Sequence, residues 1–288
     1  MPYVGRYINM DRSTERRRLL EERFAALGCT DRYTRFAAVD GHSVDMGHSP
    51  LNPGEYGCFM SHYQCVKESM DRDVHLHIVE DDVVFGPNTI LLLDQTVEDS
   101  FRDAEMTFTD IFIAGNLATM VGLMGYYRLS GILDPTPGAT GRWPKFVNFF
   151  GLKAASFAGS ASYVIRSDAR AKMLSLMEAE LAAGPTMPVD GFFQKIVQAG
   201  EISACCTVPF LTSVDLAGIV STTIEGRSQH DRSALAFFML RNYFFVDKDD
   251  AALAQLGAEL KGYVRDPNFI DPLLDAFRFI FSDDFVAF

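Results

Sequence analysis

The 288-residue sequence has only five cysteines, and none of them follow the CxxC spacing of structural zinc sites. An odd number of scattered cysteines also argues against the disulfide framework of a small secreted domain. A reducing compartment fits this usage best, so we expect a cytoplasmic protein. The cysteines are Cys29, Cys58, Cys65, Cys205 and Cys206.

Basic residues are scarce as well, because 26 Lys and Arg against 38 Asp and Glu leave a net charge of −12. This charge opposes binding to polyanions, so we expect no nucleic-acid partner. No apolar run reaches the ~18 to 20 residues that span a bilayer, and residues 1–6 show no signal-peptide pattern. The aromatic tail over residues 277–288 predicts packing on the domain or on a second subunit. We therefore expect at most peripheral contact with the inner face of the cell membrane and leave a homo-oligomer open.

The most informative stretch is an apolar run over residues 74–85 that is interrupted by Glu80, Asp81 and Asp82. Alternating apolar residues before the triplet predict a strand. If the pleat continues, Glu80 and Asp82 point to one side and Asp81 to the other. Adjacent carboxylates repel one another, and hard oxygen ligands suit Mg²⁺ or Mn²⁺. The alternative is a solvated acidic turn.

The preceding sequence alternates between strand and helix patterns. Residues 3–9 predict a strand, followed by a helix with Asp11 as its N-cap and an end at Gly28. Residues 33–39 predict a second strand, and Asn52 begins a second helix with a capping box. The order β-α-β-α-β indicates an α/β fold with a largely parallel central sheet flanked by helices.

Four arginines lie in the first turns of the first predicted helix. The helix N-terminus also favours anions, so this cluster predicts a phosphate site. The alternative is a solvated face that pairs with glutamates of the same helix. Because ligands of such sheets bind at the carboxyl ends of strands, the arginines and the acidic triplet fall on one edge, as a nucleoside diphosphate with its metal requires. The cluster comprises Arg12, Arg16, Arg17 and Arg18, and the glutamates are Glu15, Glu21 and Glu22.

The helix that begins at Asn52 aligns Cys58, His62 and Cys65 on one face. Three ligands on one straight helix rarely converge on a tetrahedral ion, so we interpret this face as core packing. Further along the chain, residues 110–114 predict a strand. The glycine- and proline-containing stretch 117–150 predicts a lid loop, with a plain surface excursion as the alternative.

Asp190 precedes a predicted helix over residues 192–198, where a carboxylate commonly acts as a cap. The final part of the chain predicts three helices that form an appendage to the sheet domain. These segments are residues 232–245, 250–264 and 271–281.

Four stretches resemble, in order and spacing, glycosyltransferase family 25, which includes bacterial lipooligosaccharide galactosyltransferases. The likeness covers roughly residues 3–226, and later landmarks lie at 162–165, 188–190 and 221–224. The four stretches are residues 8–12, 36–41, 55–62 and 78–83.

This resemblance implies a GT-A-like catalytic domain over residues 1–226, with a helical appendage over residues 227–288. It also implies a metal-dependent, inverting transfer of a sugar, galactose by default, from a UDP-sugar to a saccharide acceptor such as lipooligosaccharide or another surface glycan. The acidic triplet would act as a DxD-type motif for Mn²⁺ or Mg²⁺. Two alternatives stay open: a metal-dependent phosphohydrolase, and a binding protein without turnover.

The resemblance also assigns roles to residues of this sequence. Asp190 would be the catalytic base, although Gly191 and Phe192 follow it where the family pattern usually has Trp. Asp81 is further expected to hold the loop in shape. Asp82 and Glu80 would hold the metal, and the donor would be bound by Arg12, Arg16, Arg17, Glu80 and Asp81.

Overall fold

A computed structural model describes residues 3–112, 123, 147–214 and 241–249. Within these ranges the chain forms nine strands and five α-helices with both ends described, and residues 241–244 are also helical. The strands are β1 Tyr3–Asn9, β2 Tyr33–Ala37, β3 His75–Glu80, β4 Val83–Phe85, β5 Met106–Phe108, β6 Asn148–Gly151, β7 Ser162–Ile165, β8 Ala204–Val208 and β9 Thr212–Val214. The helices are α1 Thr14–Ala26, α2 Pro53–Lys67, α3 Thr89–Ser100, α4 Arg170–Ala183 and α5 Val189–Ala199.

Seven strands form one sheet in the order β2-β1-β3-β7-β5-β8-β6. β1 is parallel to β2 and β3, and β5 is parallel to β8. β7 lies antiparallel between β3 and β5, and β6 is antiparallel to β8. Five strands therefore share one direction, which confirms the predicted largely parallel sheet. β4 and β9 form a separate antiparallel pair.

Strand β3 lies within the sheet and faces a core on each side. Leu76 and Ile78 belong to the cluster that includes residues of α2, α4 and α5. Val79 belongs to the cluster that includes residues of α1 and α3. Alternate residues of β3 therefore enter different apolar layers, as a strand covered by helices on both faces requires.

The two helix starts differ in how well the sequence predicted them. At α2, the Asn52 side chain accepts the backbone N–H of Glu55 at 2.9 Å, which confirms the capping box. At α1 the N-cap is Ser13, so the prediction of Asp11 is wrong. Asp11 instead lies in a turn before the helix, in which the Ser13 N–H donates to the Met10 carbonyl at 2.9 Å, and its carboxylate accepts a hydrogen bond from Arg35 of β2 at 2.5 Å.

Two other predicted segments differ from the structure. The strand predicted over residues 110–114 is wrong over its described part, residues 110–112, where Phe112 makes an isolated bridge with Ala158; its remainder lies outside the described residues. Strand β5 lies upstream and ends at Phe108, so Asp110 follows a strand rather than beginning one. Strand β6 begins inside the predicted 117–150 loop, whose remainder lies largely outside the described residues. Among the helices that the structure describes, none has the length and apolar character needed to cross a membrane.

Most of the predicted C-terminal appendage, its boundary at residue 226 and the landmark at 221–224 lie outside the described residues. The described part, residues 241–249, contacts the sheet domain. The backbone N–H of Phe210 donates to Phe244 at 2.8 Å, and the N–H of Val246 donates to Phe210 at 2.9 Å. This segment is therefore joined to the sheet domain by main-chain hydrogen bonds.

Candidate functional site

Polar residues gather at the carboxyl ends of three strands that run in the same direction. Asn9 ends β1, Glu80 ends β3, and Asp110 lies two positions after β5. All three side chains are at least partly buried. This edge of the sheet is where α/β proteins commonly bind ligands.

The acidic triplet leaves the strand at its first member. Asp81 and Asp82 form a turn between β3 and β4, so the pleat does not continue through them as predicted. Glu80 Oε1 accepts a hydrogen bond from the Ser160 hydroxyl at 2.6 Å and lies 3.4 Å from Nε2 of His62.

Asp81 contacts the start of the chain on the other side of the turn. Its carboxylate accepts hydrogen bonds from Asn9 Nδ2 at 2.7 Å and from Arg16 Nη1 at 3.0 Å. Burial raises the pKa of Asp81, and these two donors partly oppose that rise. The contacts tie the turn after β3 to β1 and to the first turn of α1.

Asp82 is the member of the triplet with an unsatisfied buried oxygen among the described residues. Its Oδ1 atom is buried and has no hydrogen-bond partner among the described residues. Burial, and then repulsion from Glu80, raise its pKa to about 7, while the charge of Arg16 partly opposes the rise. A carboxylate with an unsatisfied oxygen that follows two other carboxylates in the sequence fits a divalent cation, and all-oxygen ligands suit Mg²⁺ or Mn²⁺. Asp82 and Glu80 are the residues that could hold such an ion.

The pKa of Glu80 differs from that of Asp82, although both residues are partly buried. Burial alone would raise the pKa of Glu80, but the contacts with His62 and Ser160 outweigh it and leave the pKa below its ordinary value. Glu80 is therefore ionised at neutral pH. A carboxylate held in its charged form is ready to accept a cation.

The four arginines of the first predicted helix do not act as one group. Arg12 and Arg16 line a pocket at the sheet edge, together with Glu80 and Asp81. Arg12 also pairs with Asp40 at 3.0 Å.

Arg18 instead pairs with Glu15 and Glu22 on the exposed face of α1, as the solvated-face alternative predicted. Arg17 is not among the residues that line the pocket. Its positive charge instead acts on Tyr7, whose pKa is raised by burial and by a hydrogen bond to Glu21.

Close packing between α2 and the loop after β2 forms one wall of the pocket. A Cβ atom on Gly57 would lie 2.6 Å from the carbonyl oxygen of Val39, and one on Gly41 would lie 1.7 Å from that of Pro53. Only glycine permits these approaches. These close approaches place Cys58 and the buried His62 of α2 among the residues that line the pocket.

Asp190 does not line this pocket. It is the second residue of α5, whose N-cap is Pro188, and its Oδ1 accepts the backbone N–H of Gly191 at 2.8 Å. Helix α5 packs on α2, because the Phe193 ring lies 6.3 Å from the ring of His62. Asp190 is thus one helical turn before a residue that contacts the site.

Sequence reasoning missed a second buried charge at this edge. Asp110 accepts a hydrogen bond from Arg241 Nε at 3.0 Å, and both side chains are almost fully buried. The positive charge of Arg241 also contributes to the lowered pKa of Glu80 and partly opposes the rise in the pKa of Asp82. Because Arg241 follows Asp110 by 131 positions, local patterns carry no signal for this pair.

A largely parallel α/β sheet with carboxylates and arginines on one edge is the chemistry of a class of proteins that could bind phosphorylated ligands. A sequence model of glycosyltransferase family 25, described as an LPS biosynthesis protein, matches residues 6–193. The chain belongs to this family, which confirms the resemblance found in the sequence.

Two curated relatives agree with this assignment. A lipooligosaccharide biosynthesis protein, lic2B, from Haemophilus influenzae is 36% identical over 61 residues, which cover 20% of this chain and 23% of that protein. A glycosyltransferase 25 family member from Drosophila pseudoobscura pseudoobscura is 31% identical over 111 residues, which cover 31% of this chain and 17% of that protein. The chain thus spans less than a quarter of either relative.

Proposed function

We propose that this chain is a metal-dependent, inverting glycosyltransferase of GT-A architecture that uses a UDP-sugar donor. Galactose is the first sugar to test, and the acceptor is a saccharide such as lipooligosaccharide or another surface glycan. Family membership supports the reaction class, and the name of the Haemophilus relative supports the acceptor class. We expect the enzyme to act in the cytoplasm, at most in peripheral contact with the membrane.

The observation that carries this proposal is the meeting of opposite charges in one pocket. Arg12 and Arg16 come from the start of α1, and Glu80 and Asp81 from the end of β3. Arginines bind phosphate oxygens through paired N–H groups, and carboxylates bind divalent cations. A nucleoside diphosphate with its metal needs both at once.

On the donor side, Arg16 would contact the diphosphate while its bond to Asp81 holds it in place. Arg12 would contact the diphosphate or the uridine, and Arg17 would add positive charge at longer range. Asp82 and Glu80 would hold Mn²⁺ or Mg²⁺, and Glu80 would also face the ribose. A bound divalent cation would neutralise charge on the departing UDP.

On the acceptor side, Asp190 would accept the proton of the attacking hydroxyl. Its place at the start of α5, beside the helix that carries His62, supports this role together with the family resemblance. The attacking oxygen then forms the new bond to the anomeric carbon from the face opposite to UDP, which inverts the configuration.

The test is turnover of a panel of UDP-sugars by the full chain with Mn²⁺, with and without a lipooligosaccharide acceptor. We expect UDP release and a new glycoside by mass spectrometry that both require acceptor and metal. Release of phosphate or free sugar at the same rate without acceptor would indicate a phosphohydrolase instead. Binding of UDP without any turnover would indicate a protein that has kept only the binding site.

A further inference from the structure

Three potential metal-ligand atoms meet in the wall of the pocket, apart from Asp82. They are the Cys58 thiol, the His62 imidazole and the Glu80 carboxylate, and one ligand atom of each lies within 4.8 Å of those of the other two. Cys58 and His62 are one turn apart on α2, and Glu80 comes from the end of β3. The face of α2 interpreted from sequence as core packing therefore supplies two of the three groups.

The His62 side chain points to a ligand at this position. It is 0% exposed, and its Nε2 atom has no hydrogen-bond partner among the described residues. That atom faces Glu80 Oε1 across 3.4 Å, which is too long and too poorly aligned for a good hydrogen bond. Leaving a buried polar atom unsatisfied is costly, so the arrangement calls for an explanation.

The spacing of these two atoms matches a shared metal ion. Nitrogen and oxygen ligands at about 2.0 to 2.1 Å from a tetrahedral Zn²⁺ lie about 3.3 Å apart. The sulfur of Cys58 would need to lie about 3.6 Å from its neighbours in such a site, so a rotation that moves it by about 1 Å completes the set. Cys58 is only partly buried and forms no disulfide bond.

Neighbouring side chains would orient two of the ligands. The Tyr163 hydroxyl lies 2.8 Å from Nδ1 of His62, so a proton on Nδ1 can be donated to Tyr163 while Nε2 presents its lone pair. The Ser160 hydroxyl donates to Glu80 Oε1 at 2.6 Å. Outer partners of this kind are a regular feature of protein zinc sites.

We propose that Cys58, His62 and Glu80 form a binding site for a borderline-soft divalent cation, with Zn²⁺ as the best fit, whose fourth position opens to the pocket. Thiolate and imidazole ligands select Zn²⁺ over Mg²⁺ or Mn²⁺. Three protein ligands with one open position are typical of exchangeable zinc sites rather than closed structural ones. The proposal does not rest on sugar transfer, because it requires neither nucleotide nor turnover.

Cobalt titration of the reduced, metal-free full chain tests the site, because Co²⁺ reports thiolate coordination by a charge-transfer band in the near ultraviolet. We expect one equivalent of Co²⁺ to produce that band together with visible bands of tetrahedral intensity, and Zn²⁺ to abolish both. The Cys58→Ser variant should lose the charge-transfer band, and His62→Gln and Glu80→Gln should each bind Co²⁺ at least about tenfold more weakly. Cys65→Ala, on the same helix, and Asp82→Asn should keep the wild-type spectrum.

A second measurement does not depend on how the variants fold. Zn²⁺ should protect Cys58 of the wild-type protein from alkylation by N-ethylmaleimide, as read by peptide mass spectrometry, and Mg²⁺ should not. The proposal is overturned if the wild-type protein shows no thiolate band and no protection by Zn²⁺. It is also overturned if Asp82→Asn removes the bands as Cys58→Ser does, because Co²⁺ would then occupy the carboxylate site.

Discussion

Two fully buried histidines lie at β3, one within the strand and one beside its carboxyl end, and their ring nitrogens are hydrogen-bonded to different degrees. His77, within the strand, has the Tyr33 hydroxyl 2.8 Å from Nδ1 and the Ser162 hydroxyl 2.9 Å from Nε2. Burial lowers the pKa of His77 to about 3, so it is a neutral core residue with both ring nitrogens paired.

His62 approaches the last residue of the same strand and has only one ring nitrogen paired in this way. Tyr163 occupies Nδ1, whereas Nε2 faces Glu80 without a good hydrogen bond. Beyond Glu80, Asp82 also has a buried oxygen without a partner in the described part of the chain. The middle of β3 thus has its buried polar atoms paired, whereas its carboxyl end leaves buried polar atoms unpaired among the described residues, as expected where a ligand binds. Substitutions in the middle of β3 should therefore change the free energy of unfolding, and substitutions at its carboxyl end should change ligand binding or catalysis.

Asp190→Asn should have the largest effect on function. Loss of a general base typically lowers the rate by about 100- to 10,000-fold, and we expect kcat for sugar transfer to fall in that range. Binding of UDP should be unchanged, because Asp190 does not line the pocket. Steady-state kinetics and UDP calorimetry measure the two quantities, with Asp168→Asn on the exposed surface as control. Wild-type transfer by Asp190→Asn would remove this residue from the mechanism.

His77→Gln should cause the largest loss of stability. The shorter amide cannot reach both the Tyr33 and Ser162 hydroxyls, and each buried group left unpaired costs about 1 to 3 kcal/mol. We expect the free energy of unfolding in urea to fall by about 2 to 4 kcal/mol, while UDP affinity stays within about twofold at a temperature where the variant is folded. A large loss of UDP affinity with an unchanged free energy of unfolding would show that His77 acts in ligand binding rather than in stability.

Arg16→Ala should weaken UDP binding while preserving the fold. A hydrogen bond to a charged group contributes about 1.5 to 3 kcal/mol, which corresponds to about 10- to 100-fold in affinity. Arg18→Ala is the matched control on the same helix, because Arg18 pairs only with exposed glutamates in the described structure. Equal UDP affinity of the two variants would show that the pocket does not bind the diphosphate.

The smallest expected effect is on the pH dependence of stability. The pKa of His77 is about 3 in the folded chain and about 6.5 when unfolded, so the unfolded chain binds the proton more readily. Its contribution is present above pH 6.5 and is lost as the pH falls towards 3. Between pH 7 and 5.5, we expect His77 to reduce the free energy of unfolding by about 1 kcal/mol. His77→Gln should flatten this part of the urea-unfolding profile, and an unchanged slope would assign it to other groups.

Local sequence patterns were sufficient for the first half of the sheet. Alternation, the Asn52 capping box and the order of elements predicted β1, α2 and β3 and their parallel arrangement. They also placed Arg16 and Glu80 on one edge, because that follows from strand direction alone.

Contacts between distant parts of the chain could not be predicted in this way. The insertion of antiparallel β7 between β3 and β5 depends on long-range pairing, and it brings Ser160 to Glu80 across 80 positions. Likewise, local sequence predicts Asp11 as a helix cap, whereas in the structure its carboxylate accepts a hydrogen bond from Arg35 of the neighbouring strand. The supporting residues of the site were therefore harder to predict than the carboxylates themselves.

The contrast between the middle of β3 and its carboxyl end is tested most directly by the Asp82→Asn variant, in the turn that follows the strand. The variant is measured for UDP binding with Mn²⁺ and for unfolding without metal at pH 8. In the wild-type protein the pKa of Asp82 is raised, so its ionised form destabilises the metal-free fold at pH 8. The neutral amide of the variant should therefore leave the free energy of unfolding unchanged or higher. We predict that Mn²⁺-dependent UDP binding falls by about 100-fold or more, as the loss of several kcal/mol of metal-mediated binding requires. Wild-type Mn²⁺-dependent binding combined with a clear loss of stability would contradict the account.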